Sequence, residues 1–373
     1  MKQQRIVVKV GSSSLTGTNG LISLEKIQGL TAQIAQLQNE GYRVILVSSG
    51  AVAAGLGKLG WKRASITMPE KQAASAVGQG LLIDTYAQLF AEHGIVIAQV
   101  LLTRSDIEDR KRFLHIRNTL ETLLQHGIVP IINENDTVAV EEIRFGDNDT
   151  LGSLVALVAE ADMLILLTDI DGLYTAHPKK NPDARRISDV WEITEEMERS
   201  AGGQGSDVGT GGMRTKLTAA KIATHSGILV KIAASSEPDV LQKIVSGDTI
   251  GTTFHPKPDS IGGKKSWMIH GTRVEGTIAI DDGAVEALTE HTGSLLMPGI
   301  VAVEGEFHEG AVVEIASAKG EVIGKGVAHF SAWDLKLLLE QKKSGQTLRN
   351  LHEVIHRNEL VIIKEGNGHV YTG

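Results

Sequence analysis

No cysteine occurs among the 373 residues, which excludes disulfides, thiolate metal ligands and cysteine nucleophiles and suits a reducing compartment. No apolar run reaches the roughly 18 residues that span a bilayer. The start, Met1-Lys2-Gln3-Gln4-Arg5 before five mostly apolar residues, is too short for a signal sequence. A cytoplasmic protein with no membrane partner is expected. A Walker A loop is also missing, since no G-x-x-x-x-G-K-[ST] occurs, and Asp147-Asn148-Asp149 lacks the later ligands and glycine of a calcium-binding loop. The 13 histidines include no H-E-x-x-H pair, so His115, His126 and His225 read as surface or packed residues.

What is present suits a globular protein of two domains: 42% of residues are hydrophobic and 22% charged. Apolar runs bounded by turn residues recur at 6–10, 44–47, 95–102, 128–132, 163–167 and 228–233, and read as buried strands. Segments of helical period lie between several of them, such as 23–39 and 150–159. That alternation predicts an α/β fold with a mainly parallel sheet covered by helices. Ligands of such sheets sit beyond the carboxyl ends of the strands. Directly after strands come Gly11 to Ser14, Ser48-Ser49-Gly50, Asn133-Glu134-Asn135-Asp136 and Thr168-Asp169. Turn chemistry alone accounts for part of this clustering.

Two glycine-flanked lysines carry the strongest chemical signal: Lys9 in Val8-Lys9-Val10-Gly11-Ser12-Ser13-Ser14, and Lys216 in Gly209-Thr210-Gly211-Gly212-Met213-Arg214-Thr215-Lys216. Both read as phosphate cradles, in which glycine admits backbone N–H donors and a fixed cation neutralises charge on phosphoryl oxygens. Lys9 could instead be a surface residue of an edge strand. Lys216 could be a solvated residue near a helix start, where its charge opposes the helix dipole unless an anion is bound. Gly55-Leu56-Gly57-Lys58-Leu59-Gly60 matches the dinucleotide pattern by letter. It lies beyond its strand in an Ala-rich, helical stretch, so it is set aside.

These motifs occur in order with Lys71-Gln72-Ala73, Val77-Gly78-Gln79, Leu101-Leu102-Thr103-Arg104, Phe145-Gly146-Asp147-Asn148-Asp149, Leu167-Thr168-Asp169 and Gly172-Leu173-Tyr174. Together they resemble the glutamate 5-kinases of the amino acid kinase family. The resemblance implies a three-layer sandwich around a mainly parallel sheet, and phosphorylation of the side-chain carboxylate of L-glutamate by ATP with Mg2+, the first step of proline biosynthesis. It implies nucleotide contacts from Lys9, Gly11, Thr168, Asp169, Thr210, Gly211, Gly212, Met213, Arg214, Thr215 and Lys216. Within that set Lys9 binds the transferred phosphoryl region, Lys216 stabilises the leaving phosphate, and Asp169 organises the two lysines, although Asp169 could also be a turn residue. Ser49, Asp136 and Asn148 match positions that bind glutamate, and Asp149 fits beside them as an acid for the ammonium group.

The chemistry fits these residue types. A glutamate side chain, with a pKa of about 4.3, is already ionised at neutral pH and needs no general base. The obstacle is repulsion, about 4 kcal/mol per unit-charge pair at 4 Å and an effective dielectric near 20, which fixed cations oppose. Free glutamate differs from N-acetylglutamate in its α-ammonium group, whose burial needs carboxylate or carbonyl oxygens; Asp136, Asp147, Asn148 and Asp149 supply them. Asp149 also precedes the apolar helix expected over 151–159, where capping alone is worth about 1 kcal/mol. The Ser49 hydroxyl and Gly50 amide suit a substrate carboxylate. No dedicated magnesium cage is visible, consistent with metal held by phosphates and water.

Domain boundaries are expected at 1–258 for the kinase, 259–274 for a linker that carries Gly262-Gly263 and Lys264-Lys265 just after Pro256 and Pro258, and 275–373 for a small β-rich domain. Gly293-Ser294-Leu295-Leu296-Met297-Pro298-Gly299-Ile300 and residues 309–315 resemble the PUA domain of RNA-modifying enzymes and of many glutamate 5-kinases. Residues 271–373 carry 9 Lys+Arg against 15 Asp+Glu, a net −6, whereas RNA-binding surfaces are usually basic. An interaction or regulatory module is the better reading. The alternatives left open are an N-acetylglutamate or aspartate kinase of the same fold and an RNA-binding protein. The resemblance further suggests proline as a feedback inhibitor acting through the loop around Glu141 and Glu142, a homo-oligomer, and glutamate-5-semialdehyde dehydrogenase (gamma-glutamyl phosphate reductase) as a partner.

Overall fold

Alternating strands and helices fill the first two-thirds of the chain. The fold is seen in a computed structural model, which describes residues 3–17, 21–62, 66–138, 148–176, 178, 181–201, 212–256, 268, 271–290, 293–344, 353–363 and 370–371. The chain divides into two compact units, residues 1–260 without 108–112, and residues 261–373 with 108–112.

In the first unit, β1 (Arg5–Val10) runs into the one-turn helix α1 (Ser12–Leu15). Helix α2 (Leu24–Asn39) then returns to β2 (Arg43–Ser48). Its N-cap Ser23 accepts the Lys26 N–H, satisfying one of the orphan donors of the first turn. Helices α3 (Ala51–Leu59) and α4 (Met68–Ala91) lead to β3 (Ile97–Leu102), and α5 (Arg104–Glu108) and α6 (Arg110–Gln125) to β4 (Val129–Glu134). After α7 (Asn148–Val158) come β5 (Met163–Thr168) and the short strands β6 (Leu173–Tyr174), β7 (Arg186–Ile187) and β8 (Asp189–Val190). Helices α8 (Glu195–Ala201) and α9 (Met213–His225), strand β9 (Leu229–Ala234), helix α10 (Val240–Ser246) and strand β10 (Thr252–Phe254) close the unit.

The main sheet has the order β3-β4-β2-β1-β5-β9-β10-β8. Its strands pair in parallel except for the antiparallel pair β9 and β10. The mainly parallel sheet is therefore as expected. Side chains of β1 alternate between faces. Ile6, Val8 and Val10 join Ile27 and Ile34 of α2, Tyr86 and Phe90 of α4 and Leu241 of α10 in one buried cluster. Lys9 points the other way, beneath α7, because it has the opposite parity.

At the start of β3 and the end of β4 the expected boundaries move by two residues. Residues 95 and 96 precede β3, since the Ile95 N–H bonds back to Phe90 O and finishes the turn after α4. Strand β4 runs on through Asn133 and Glu134, which pair with Leu101 and Leu102 of β3, so these polar residues lie within the strand end. The discounted glycine pattern at 55–60 lies in α3 and its C-cap. A Cβ on Gly55 would sit 1.7 Å from Ala74 O, and one on Gly78 1.7 Å from Ala51 O, so the two glycines let the backbones of α3 and α4 touch.

The second unit is β-rich, as expected. It contains a six-stranded sheet and a two-stranded one. The strands are β11 (Gly276–Ile280), β12 (Leu295–Leu296), β13 (Ile300–Gly305), β14 (Val312–Ser317), β15 (Val322–Val327), β16 (Glu353–Ile355), β17 (Leu360–Ile363) and β18 (Val370–Tyr371). Helices α11 (Asp282–Glu290) and α12 (Ala332–Lys343) accompany them. Ile278, Met297, Ile315, Leu335 and Val354 belong to its core.

Candidate active site

Three chain segments meet above the carboxyl end of β1. Lys9 is only 5% exposed, and its stem lies under α7, where a Cβ on Gly152 would come within 3.2 Å of Lys9 Cβ. Any side chain at 152 would press on the lysine. In the first turn of α7, Asp149 is wholly buried, its Oδ1 lying 2.5 Å from Lys9 Nζ and its Oδ2 3.0 Å from Lys216 Nζ. Lys216 rises from the first turns of α9 and is itself buried. Thr215 Oγ1 stands 2.8 Å from both Asp149 Oδ2 and Gly212 O. Burial alone pushes the Asp149 carboxyl up, but the ammonium groups of Lys9 and Lys216, with the hydrogen bonds they donate, outweigh it and hold the carboxyl below its usual range. The triad keeps one net positive charge in a water-poor site, which favours an anion.

This corrects the expectation for Asp169. The carboxylate joining the two lysines is Asp149; Asp169 is exposed and accepts a hydrogen bond from Thr168 Oγ1 at 3.0 Å. The physical reason is position. Asp169 follows the end of β5 in a solvent-facing turn, whereas the first turn of α7 lies directly over the Lys9 face of β1. Asp149, expected beside an ammonium group of the substrate, has its two oxygens turned to ammonium groups of the protein itself. The charge of Lys216 against its helix dipole is met by this internal anion.

A second polar group forms beside the triad. Asn148 Nδ2 donates toward Ser48 O at 2.9 Å, Ser49 Oγ at 2.8 Å and Asn133 Oδ1 at 3.0 Å. Asn133 Nδ2 donates to Gln79 Oε1, and Ser75 Oγ to Asp136 Oδ2. Ser49, Asp136 and Asn148 are thus held at the ends of β2, β4 and α7. Sequence reading passed over Ser75, Gln79 and Asn133 as individuals. For Ser75 and Gln79 the signal is their i, i+4 spacing among Ala74, Gly78 and Leu82 on the buried face of α4.

Gly11, Thr168, Gly212, Met213, Arg214 and Thr215 lie at the ends of β1 and β5 and at the start of α9. Thr210, Gly211, Asp147, Glu141 and Glu142 lie outside the described residues. Among the described residues no group of three or more His, Asp or Glu side chains could hold a metal ion, and no helix is long and apolar enough to cross a membrane.

A mainly parallel sheet with paired cations and small polar donors beyond its strand ends is an arrangement suited to phosphoryl transfer. The amino acid kinase family matches residues 4–234 and the PUA domain residues 276–351; the chain belongs to the amino acid kinase family. A glutamate 5-kinase of Carboxydothermus hydrogenoformans is 49% identical over 365 residues, covering 96% of this chain and 98% of the relative. Glutamate 5-kinase 2 of Bacillus licheniformis is also 49% identical, over 361 residues and 96% of each chain. Within the family, the chain falls among the glutamate 5-kinases. A solved carbamate kinase from Giardia lamblia bound to AMP-PNP shares the fold at 17% identity, with a TM-score of 0.53 over 69% of this chain and 99% of that one.

Proposed function

We propose that this site transfers the γ-phosphoryl group of ATP to the side-chain carboxylate of L-glutamate, giving L-glutamyl 5-phosphate and ADP, the first step of proline biosynthesis. The observation that carries the residue assignment is the buried Lys9–Asp149–Lys216 triad. Lys9 neutralises the phosphoryl oxygens as the carboxylate approaches, and Lys216 stabilises the charge that moves to the β-γ bridging oxygen. Asp149 fixes both amines in place before substrate arrives, so that no reorganisation is needed during transfer. No proton has to move, because the nucleophile is already ionised. Thr168, Asp169 and the 210–216 segment hold the nucleotide; Ser49, Asp136 and Asn148 hold the amino acid.

Mg2+ would be held by phosphate oxygens and water, not by a carboxylate cage, and supplies further charge neutralisation on the polyphosphate. The same reading takes in proline as feedback inhibitor, a homo-oligomer, gamma-glutamyl phosphate reductase as the consumer of the acyl phosphate, and a cytoplasmic setting. Hydroxylamine, which traps acyl phosphates as hydroxamates, provides the test. With MgATP and equal concentrations of glutamate, N-acetylglutamate and aspartate, hydroxamate is expected predominantly from glutamate. Preference for the acetylated acid would overturn the substrate assignment.

A further inference from the structure

Helix α4 presents a stripe of polar side chains on its otherwise apolar buried face. Ser75 and Gln79 are one turn apart, and Tyr86 follows on the same side. Each reaches a strand end: Ser75 Oγ donates to Asp136 Oδ2 at 3.0 Å, Gln79 Oε1 accepts from Asn133 Nδ2 at 2.9 Å, and Tyr86 Oη lies 2.9 Å from Ser48 Oγ. All three residues are buried. The helix that carries them is held by the Gly55 and Gly78 contacts with α3, so the stripe stands on a rigid support.

The orientations of the amides follow from groups that cannot be reversed. The Glu134 backbone N–H can only donate, and it meets Asn133 Oδ1 at 2.9 Å. Asn133 Nδ2 therefore faces Gln79, which must answer with its oxygen. At the other end the Ser48 carbonyl can only accept, so Asn148 turns Nδ2 toward it and toward Asn133. The result is a one-way relay, Asn148 to Asn133 to Gln79, that directs the carbonyl oxygen of Asn148 away from this cluster as an acceptor suited to an ammonium group.

We propose that Ser75 and Gln79 are positioning residues for the amino-acid subsite, setting its affinity for the α-ammonium group by holding Asp136 and the Asn133–Asn148 relay from behind. The inference rests on the glutamate reading above. The hydrogen bonds of Gln79 and Ser75 go to Asn133 and Asp136, so their loss is expected to act on the amino-acid subsite. Gln79→Met keeps the volume and removes the acceptor, leaving a buried N–H without a partner; Gln79→Glu keeps an acceptor.

Steady-state kinetics on both variants and on Ser75→Ala test it, with thermal midpoints measured alongside. Gln79→Met and Ser75→Ala should each raise KM for glutamate roughly fivefold to tenfold. Their KM for ATP and kcat should stay within about twofold, and Gln79→Glu should lie within about threefold of the parent in KM. An unchanged glutamate KM in Gln79→Met would overturn the inference. So would equal defects in Gln79→Met and Gln79→Glu, or parallel rises in both KM values, which mark a packing defect. If the parent enzyme itself prefers N-acetylglutamate, it is the functional reading that fails; the contrast between the two Gln79 variants then still measures the brace on the acid that is used.

Discussion

Lys9 Nζ and Asp149 Oδ1 lie 2.5 Å apart, a contact between the end of the first strand and the first turn of α7. The ion pair is almost wholly out of water, and its carboxylate serves a second lysine as well. Removing one partner of such a cluster leaves charge buried without compensation, which costs about 3–5 kcal/mol.

Asp149→Asn should therefore lower both stability and turnover. The midpoint of urea unfolding is expected to fall by the equivalent of about 3 kcal/mol, and kcat by about a hundredfold or more because the two amines repel and separate. Asp169→Asn, made in parallel, should leave the unfolding midpoint close to that of the parent. Equal destabilisation by the two changes would contradict the assignment of Asp149 as the bridging residue.

Acid should reveal the same group. Because the folded Asp149 carboxyl titrates below its ordinary value, the unfolded chain binds the extra proton as pH falls. The contribution is complete above about pH 4 and is lost as pH drops through the folded pKa. The gap between the urea midpoints of the parent and Asp149→Asn should accordingly narrow over the window that opens at about pH 4 and runs down through the folded pKa. A gap that stays constant over that window would exclude the linkage.

Lys216→Ala should lower kcat by about two orders of magnitude or more while circular dichroism shows an intact fold. Asp149 retains Lys9 as its partner in this variant, so the loss of stability should be smaller than in Asp149→Asn. Near-normal turnover would contradict a role in phosphoryl transfer.

Gly152→Ala adds a methyl group 3.2 Å from Lys9 Cβ. The expected result is about a tenfold loss of kcat with little change in KM for glutamate, because a small displacement of a catalytic cation is costly. Gly78→Ala, whose new Cβ would meet Ala51 O at 1.7 Å, should instead destabilise the whole unit by about 3 kcal/mol or fail to fold. Thermal scans with kinetics on each variant separate the two outcomes.

The elements that position the site were largely legible beforehand. Ile6, Val8 and Val10 announce a buried strand, and Gly11 after Lys9 marks its end as a place for an anion. Ser49, Asp136 and Asn148 were singled out through the family resemblance, and of these the structure joins Ser49 and Asn148 by a hydrogen bond. The misplaced role was that of Asp169. Asp149 and Asp169 are both acids beside a turn, and nothing in a linear pattern distinguishes the one that folds back over β1 from the one that faces solvent. The partner of Gln79 was hidden for a related reason: its spacing with Ser75 marks a polar stripe on an apolar helix face, but not that it bonds to Asn133.

Hydrophobic periodicity, glycine and lysine spacing and the absence of cysteine belong to the chain alone, and they were enough to specify a parallel sheet with cations at its rim, because burial and turn chemistry act over a few neighbouring residues. Which carboxylate ties Lys9 to Lys216, and which side chains of α4 brace Asn133 and Asp136, was decided only when distant segments packed. Charge pairing acts through space within a few ångströms, and separation along the chain carries no record of it.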